Sequence, residues 1–389
     1  MAVGTEPQLQ VAIVGGGIIG LITAMGLLKR NISVKMYEQS RSFREIGAGV
    51  AFTANAMQCM ELIDPAIVEA VNAVATPNGE DSENPNDYLR FHDGYNCDPS
   101  DPERTDDQLK ALLHTGYRGF QGCHRAHLLD ELVRHIPEHA VEFGKRFVGY
   151  EDRGSEKKLL IHFQDGTTAE ADAAFVTEPS DWPVGDSNGV RNMTAEATRE
   201  ELEAVFQGWG PTVRNIVGLL PDEMDKWGIF DMYDHPAPSY VRGRVCVAGD
   251  AAHASSPHHG AGAGIGVEDA LALCTLFDMI TASLPQTLAT SNTQQAKSLS
   301  SLVEAAFQVF DQVRSPRSQW LVKSSREACD IYEWNYPETK RDWDKCLDEI
   351  TTRSHKLWYF DIDGMLKELQ DGYHAKTATA LAANQGTAI

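Results

Sequence analysis

The stretch Val11-Ala12-Ile13-Val14-Gly15-Gly16-Gly17-Ile18-Ile19-Gly20 decides the fold. Four apolar residues make a short buried strand, Gly15, Gly17 and Gly20 hold a G-x-G-x-x-G spacing, and Leu21 to Lys29 continues with helical periodicity. The first two glycines permit a tight turn and let a pyrophosphate approach the helix N-terminus, whose free N–H groups and dipole favour negative charge. The third lets helix and strand pack closely. A second strand, Ile32 to Tyr37, ends at Glu38, an acid about 20 residues beyond the glycines and placed to accept hydrogen bonds from an adenosine ribose. Strand, turn, helix, strand and acid in this order predict a dinucleotide site.

Beyond Glu38, Arg41 and Arg44 are candidates for a phosphate or ribose contact, with a solvent-facing arginine as the plain alternative. Gly47-Ala48-Gly49 offers close backbone approach, and a helix is expected from about Asn55 to Leu62. From Thr76 to Gln108 prolines alternate with Asn, Asp and Glu, and only Tyr88 to His92 has strand character, so this is an excursion from the core. Arg125 opens an apolar and basic helix and is a candidate for a cofactor phosphate, or for an ordinary salt bridge. Phe147 to Tyr150, Lys158 to Phe163 and Thr168 to Ala173 are expected strands, with Asp165-Gly166 as a hairpin turn. Ala171 to Thr177 also has strand character but leads at once into Glu178-Pro179-Ser180, and a helix is expected over Thr198 to Phe206. No sheet able to enclose a substrate is evident here.

The second informative stretch is Tyr240 to His259. Val245 to Ala248 is a buried strand closed by Gly249-Asp250, and an acid at the C-terminal end of such a strand is placed to meet a ribitol or ribose hydroxyl. Pro257, then Gly260, Gly262, Ala263 and Gly264, precede an apolar helix expected from about Val267 to Ile280; exposed backbone N–H groups here suit a flat ring or a phosphate. His253, His258 and His259 lack a zinc-type ligand spacing. His258 is a candidate to approach a flavin or its substrate, against a histidine bonded to nearby backbone. Thr281 to Leu299 is expected as a loop and helix start, Leu299 to Arg326 and Arg341 to Thr351 as helices, the later aromatics as packing residues, and the Ala-rich tail from Lys376 as frayed.

The chain has 389 residues, enough for two or three domains. A net charge of −22 makes nucleic acid and anionic membranes poor partners. Seven scattered cysteines with no C-x-x-C pair fit reduced thiols, and no signal peptide or membrane-length apolar run is visible, so a cytoplasmic protein is expected, monomeric or homodimeric.

Taken together, Gly15, Gly17, Gly20, Glu38, Arg125 and Gly249-Asp250 in this order resemble the FAD-dependent aromatic hydroxylases, group A flavoprotein monooxygenases, in the fungal salicylate-hydroxylase-like branch; the resemblance runs from about residue 9 to 370. It implies an α/β fold: a Rossmann-like FAD-binding domain of the aromatic-hydroxylase type, a reduced substrate domain and a helical C-terminal region. The expected boundaries are 9–75, 109–172 and 241–298 for the FAD-binding domain, 76–108 and 173–240 for the substrate side, and 299–389 for the helical region. The resemblance further implies Glu38 on the adenosine ribose, Arg125 on FAD, Asp250 at the ribityl–pyrophosphate region, and the loop from Pro257 to Gly264 beside the isoalloxazine. Arg44 and Gly49 join the FAD contacts, and His258 is the candidate catalytic residue. NADH or NADPH would reduce the flavin, and O2 would form a C4a-hydroperoxide that hydroxylates a small phenolic substrate, salicylate-like or a fungal secondary-metabolite intermediate. Family members carry an Asp-Gly segment after the Ala-Asp strand; here Ala171-Asp172-Ala173 runs straight into Ala174-Phe175-Val176-Thr177, which resembles a later family strand. Several dozen expected residues are therefore missing at about 173. The alternatives are a catalytically defective FAD-binding protein and a flavin oxidase or reductase.

Overall fold

The computed structural model describes residues 9–43, 49–77, 88–94, 109–114, 120–177, 194–284 and 292–385. At its centre is a six-stranded sheet in the order β15-β16-β12-β1-β2-β8. The strands are β1 (Gln10–Val14), β2 (Ser33–Glu38), β8 (Val141–Phe143), β12 (Ala173–Val176), β15 (Val241–Arg242) and β16 (Val245–Val247). All pairings are parallel except β15 on β16, so β1, β2, β12 and β16 deliver their C-terminal ends to one edge. That edge is where an open α/β sheet binds ligands. β1, β12 and β16 are short and dominated by apolar residues, as strands covered on both faces require.

Helix α1 (Ile18–Lys29) returns the chain from β1 to β2 and packs beside α8 (Gly262–Ser283). Both are apolar nearly all round, with Leu21, Ile22, Leu27, Leu273 and Phe277 fully buried. Phe175 of β12 meets the rings of Phe277 and, from α9 (Asn292–Tyr332), Phe307, at centroid distances of 5.1 and 5.5 Å. A second core lies under the antiparallel meander of β9 (Phe147–Glu151), β10 (Leu159–Phe163) and β11 (Thr168–Ala171), centred on Tyr37 against Phe163. On the other side, β3 (Gly49–Thr53), β4 (Thr76–Pro77) and β7 (Phe120–His124) form a small sheet flanked by α2 (Ala54–Ile63), α3 (Pro65–Val74) and α4 (Arg125–Val133). Two ribbons, β5 (Tyr88–His92) with β6 (Leu109–His114) and β13 (Thr194–Thr198) with β14 (Glu223–Trp227), stand apart from these sheets, the second joined by α5 (Arg199–Val205) and α6 (Pro211–Gly218). After the four-residue α7 (Asp250–His253), helices α8, α9, α10 (Trp343–Trp358) and α11 (Ile362–Gln385) complete the chain.

Several sequence expectations need correction. Ala171 to Thr177 is not one strand: the chain breaks at Asp172, whose backbone N–H donates to Gln10 O while its carboxylate accepts the Gln10 N–H, both at 2.9 Å. Strand β11 thus stays in the meander and β12 enters the central sheet, so Ala173–Val176, expected on the substrate side, belongs to the core layer. Helix α8 starts at Gly262 rather than Val267, so the glycines lie in its first turns, and it runs on to Ser283. The tail from Lys376 continues as helix to Gln385, because Leu369, Tyr373 and Thr377 are docked and good helix formers extend the turn they nucleate. The later aromatics divide: Trp358 is buried while Tyr359 is exposed.

Candidate functional site

The Gly-rich turn sits at the C-terminal edge of the central sheet. Gly15 has φ +109°, and its N–H donates to Tyr37 O at 2.9 Å. A Cβ on Gly20 would stand 2.1 Å from Gly15 O, which is the close helix–strand packing expected of the third glycine. Gly16, which the spacing leaves unassigned, is equally constrained: a Cβ there would come within 2.8 Å of both Glu38 Oε2 and the Phe43 ring. Glu38 is buried, accepting the Gly16 N–H at 2.7 Å on Oε2 and the Ser40 N–H at 2.6 Å on Oε1. Each oxygen keeps a further lone pair for a hydroxyl. Gly17 caps α1 without a side chain, no acid occupies the first turn, and Leu21 supplies the first amide bonded within the helix, to Gly17 O. The preceding amides remain as donors for an anion.

Two further glycine segments meet this turn through Ile19. A Cβ on Gly266 would lie 2.7 Å from Ile19, and one on Gly249 3.4 Å from it. Ile19 is therefore wedged between the Gly249-Asp250 turn and the first turns of α8, which join the Gly15–Gly20 segment in one place. Asp250, first residue of α7, is exposed, and its carboxylate receives no hydrogen bond from the described residues. Helix α8 is capped at Ala261 without a side-chain bond, and Ile265 is the first amide turned back, to Ala261 O. Gly264 faces Thr53 and Ala56 at the start of α2, and Gly260, at φ +59°, faces the Phe120 ring. Pro257 opens a 3-10 turn over Pro257–His259, and Ala263 is half-buried in the first turn of α8. Gly49 is exposed at the start of β3 and pairs in register with His124, so it stands next to Arg125, the half-buried first residue of α4. Arg44 lies outside the described residues.

The histidines separate by environment. His258 is half-buried with Nδ1 3.0 Å from Ser256 Oγ; burial lowers its pKa against the opposing pull of Glu333, Asp231 and Asp330. His259 is buried with Nε2 2.9 Å from Ser324 Oγ, and burial together with nearby Arg353 pushes it down to about 4. His253 belongs to a buried network of which sequence reasoning took no account. Asp269 Oδ2 accepts the Gly249 N–H at 3.1 Å and faces His253 Nε2 at 2.6 Å, and Oδ1 accepts Arg314 Nε at 2.8 Å. Burial would raise the Asp269 carboxyl, but His253 and Arg314 outweigh it and hold it at about 2. Its neighbour Glu268 accepts Arg317 Nε at 2.6 Å, Arg314 Nη2 at 2.9 Å and Asn55 Nδ2 at 2.9 Å. The available signal was Glu268-Asp269 itself, two adjacent acids inside an apolar helix, which must find buried cations.

Against known proteins, the family profile for an FAD binding domain matches residues 189–305. A salicylate hydroxylase of Sarocladium schorii is 39% identical over 456 residues, covering 95% of this chain and 92% of the relative. An FAD-dependent monooxygenase of a Phoma species, eupB, is 39% identical over 446 residues, covering 94% and 98%. Among solved structures, a salicylate hydroxylase in complex with substrate superposes with a TM-score of 0.72 at 23% identity, covering 94% of this chain and 98% of the other. The Klebsiella pneumoniae HpxO structure with FAD and uric acid gives 0.61 at 18%, covering 95% and 99%. Since 95% of 389 residues is about 370, an alignment of 456 positions leaves about 86 positions of the Sarocladium relative opposite no residue of this chain. The uncapped α1, the glycine cradles and the paired edge acids suit FAD, and with curated relatives matched over nearly their full length, this chain belongs to the fungal FAD-dependent aromatic hydroxylases of the salicylate-hydroxylase type, a monooxygenase family.

Proposed function

We propose that the chain hydroxylates a small phenolic ring with NADH or NADPH and O2, holding FAD along the C-terminal edge of the central sheet. The observation that carries this reading is Ile19 wedged between Gly249 and Gly266, which gathers three glycine segments into one cradle. Glu38 would take the adenosine ribose, the free amides of Ile18 to Gly20 the pyrophosphate with Arg125 and Arg44 alongside, and Asp250 the ribityl hydroxyls. The segment Gly260, Gly262, Ala263 and Gly264, with Gly49 opposite, would lie beside the ring. Bound FAD supplies oxygen activation once the nicotinamide has reduced it. The chain's own task is to orient the phenol and exclude water. His258, kept neutral at pH 7 by burial, is the titratable side chain of that loop not committed to the core, and we assign it to accepting or orienting the phenolic proton.

The experiment is nicotinamide oxidation with a panel of phenolic acids under labelled O2. Label in a hydroxylated product supports the reading; oxygen consumption returned entirely as H2O2 supports unproductive oxidase turnover instead. One observation favours that second outcome. About 86 relative positions have no counterpart here, and the described substrate-side elements include two-stranded ribbons carrying exposed Leu112 and Trp227, with Leu219 exposed at the end of α6. A site poorly closed to water loses its reactive oxygen to solvent.

A further inference from the structure

Asp269 is not among the residues assigned above to FAD, yet it bonds the Gly249 turn of the cradle from behind. Gly249 holds φ +59° and ψ −142°, a backbone conformation open to glycine that L side chains rarely adopt. The Asp269 carboxylate reaches across from α8 to the Gly249 N–H while the same oxygen faces His253 Nε2, one α7 turn beyond Asp250. Both ends of the exposed Asp250 segment are thereby fixed to one buried atom. The carboxylate in turn is held by Arg314 on α9, whose other carboxylate partner is Glu268, and all four side chains have no exposed surface. Two carboxylates are balanced by Arg314 and Arg317, and Glu268 reaches the start of α2 through Asn55.

We propose that Asp269 is a positioning residue for the cofactor: it clamps the Gly249–His253 segment so that Asp250 is presented in a single orientation, with Arg314 making helix α9 part of that clamp. This rests on the FAD reading above. A carboxylate is required because both oxygens face donors, Oδ2 the Gly249 N–H and His253 Nε2 and Oδ1 the Arg314 Nε; whichever way an amide were turned, its NH2 would face a donor. His253 serves the clamp by its Nε2–H, and its Nδ1 is buried without a hydrogen-bond partner among the described residues.

The test compares Asp269→Asn, His253→Leu and His253→Gln with Tyr240→Phe as control. Tyr240 lies beside His253 at a centroid distance of 6.1 Å, but its hydroxyl bonds Ser318 and Gln319 rather than the turn. Two quantities are read on each full-length protein: the FAD dissociation constant, and hydrogen exchange of the 249–253 amides in the FAD-free form. Asp269→Asn and His253→Leu should each weaken FAD at least tenfold and accelerate exchange confined to that segment. His253→Gln, which keeps a donor toward Asp269, should recover most of both, and Tyr240→Phe should lower the melting temperature while leaving the constant within twofold. If Asp269→Asn does not fold, the two His253 variants decide the matter alone. Melting temperatures that fall while FAD affinity and local exchange stay unchanged would overturn the clamp, reducing Asp269 to core packing. A wild-type chain that binds no FAD would overturn the cofactor reading, whereas the exchange data would still report whether Asp269 holds the turn.

Discussion

Gly20 and Gly49 look alike in the sequence, but a methyl group tells them apart. On Gly20 it would collide with Gly15 O at 2.1 Å, whereas on Gly49 it would meet nothing within 4 Å. Gly20→Ala should cost roughly 3 kcal/mol or more through a backbone clash, and Gly49→Ala should stay within about 0.5 kcal/mol; denaturant melts of both compare them directly. His259 makes a pH prediction. Its folded pKa of about 4 lies below the ordinary 6.5, so between these values the unfolded chain binds the proton and the native chain does not. Stability is complete above pH 6.5 and falls as pH drops toward 4, by roughly 3 kcal/mol from this residue. Replacing His259 with Asn should flatten the melting temperature over that window, and an unchanged slope would count against it. Glycine positions were legible because their spacing reports backbone constraint. The Asp269 clamp was not, since its partners lie 16, 20 and 45 residues away in sequence.

Among the elements, β1, α1, β2, α2 and β16 follow from apolar runs and turn residues, and their expected bounds differ from the observed ones by only a few residues. The expected strand over residues 171–177 misleads because its apolar content suits either neighbour; which sheet it joins depends on Asp172 bonding across to Gln10. Ribbon β5–β6 was half visible: Tyr88–His92 stands out, but its partner Leu109–His114 has no alternation to mark it. Helices α8 and α9 are joined by buried charge rather than by apolar surface alone. Arg314→Met would leave Glu268 and Asp269 one cation short inside the protein, and uncompensated buried charge costs roughly 3–5 kcal/mol. Chemical denaturation of this variant should show that loss at pH 7; a loss below about 1 kcal/mol would mean that the acids find other partners.

At the scale of the molecule, the cradle draws on segments from residue 15 to residue 266, and α9 braces it from outside. Among the described residues no helix is long and apolar enough to cross a membrane. A dinucleotide site was readable from sequence because the strand-turn-helix unit is local, and FAD followed from the family resemblance, while enclosure of a substrate is not local and depends on segments that this chain and its relatives do not share. One FAD lying on this edge is tested most directly by fluorescence titration of the FAD-free chain, alone and with Asp250→Ala. The wild-type chain should saturate at one FAD, with binding weakened in the variant by roughly 1.5–3 kcal/mol through loss of a charge-assisted hydrogen bond. A wild-type chain that does not saturate, or a variant of equal affinity, would mean that FAD does not lie along this edge.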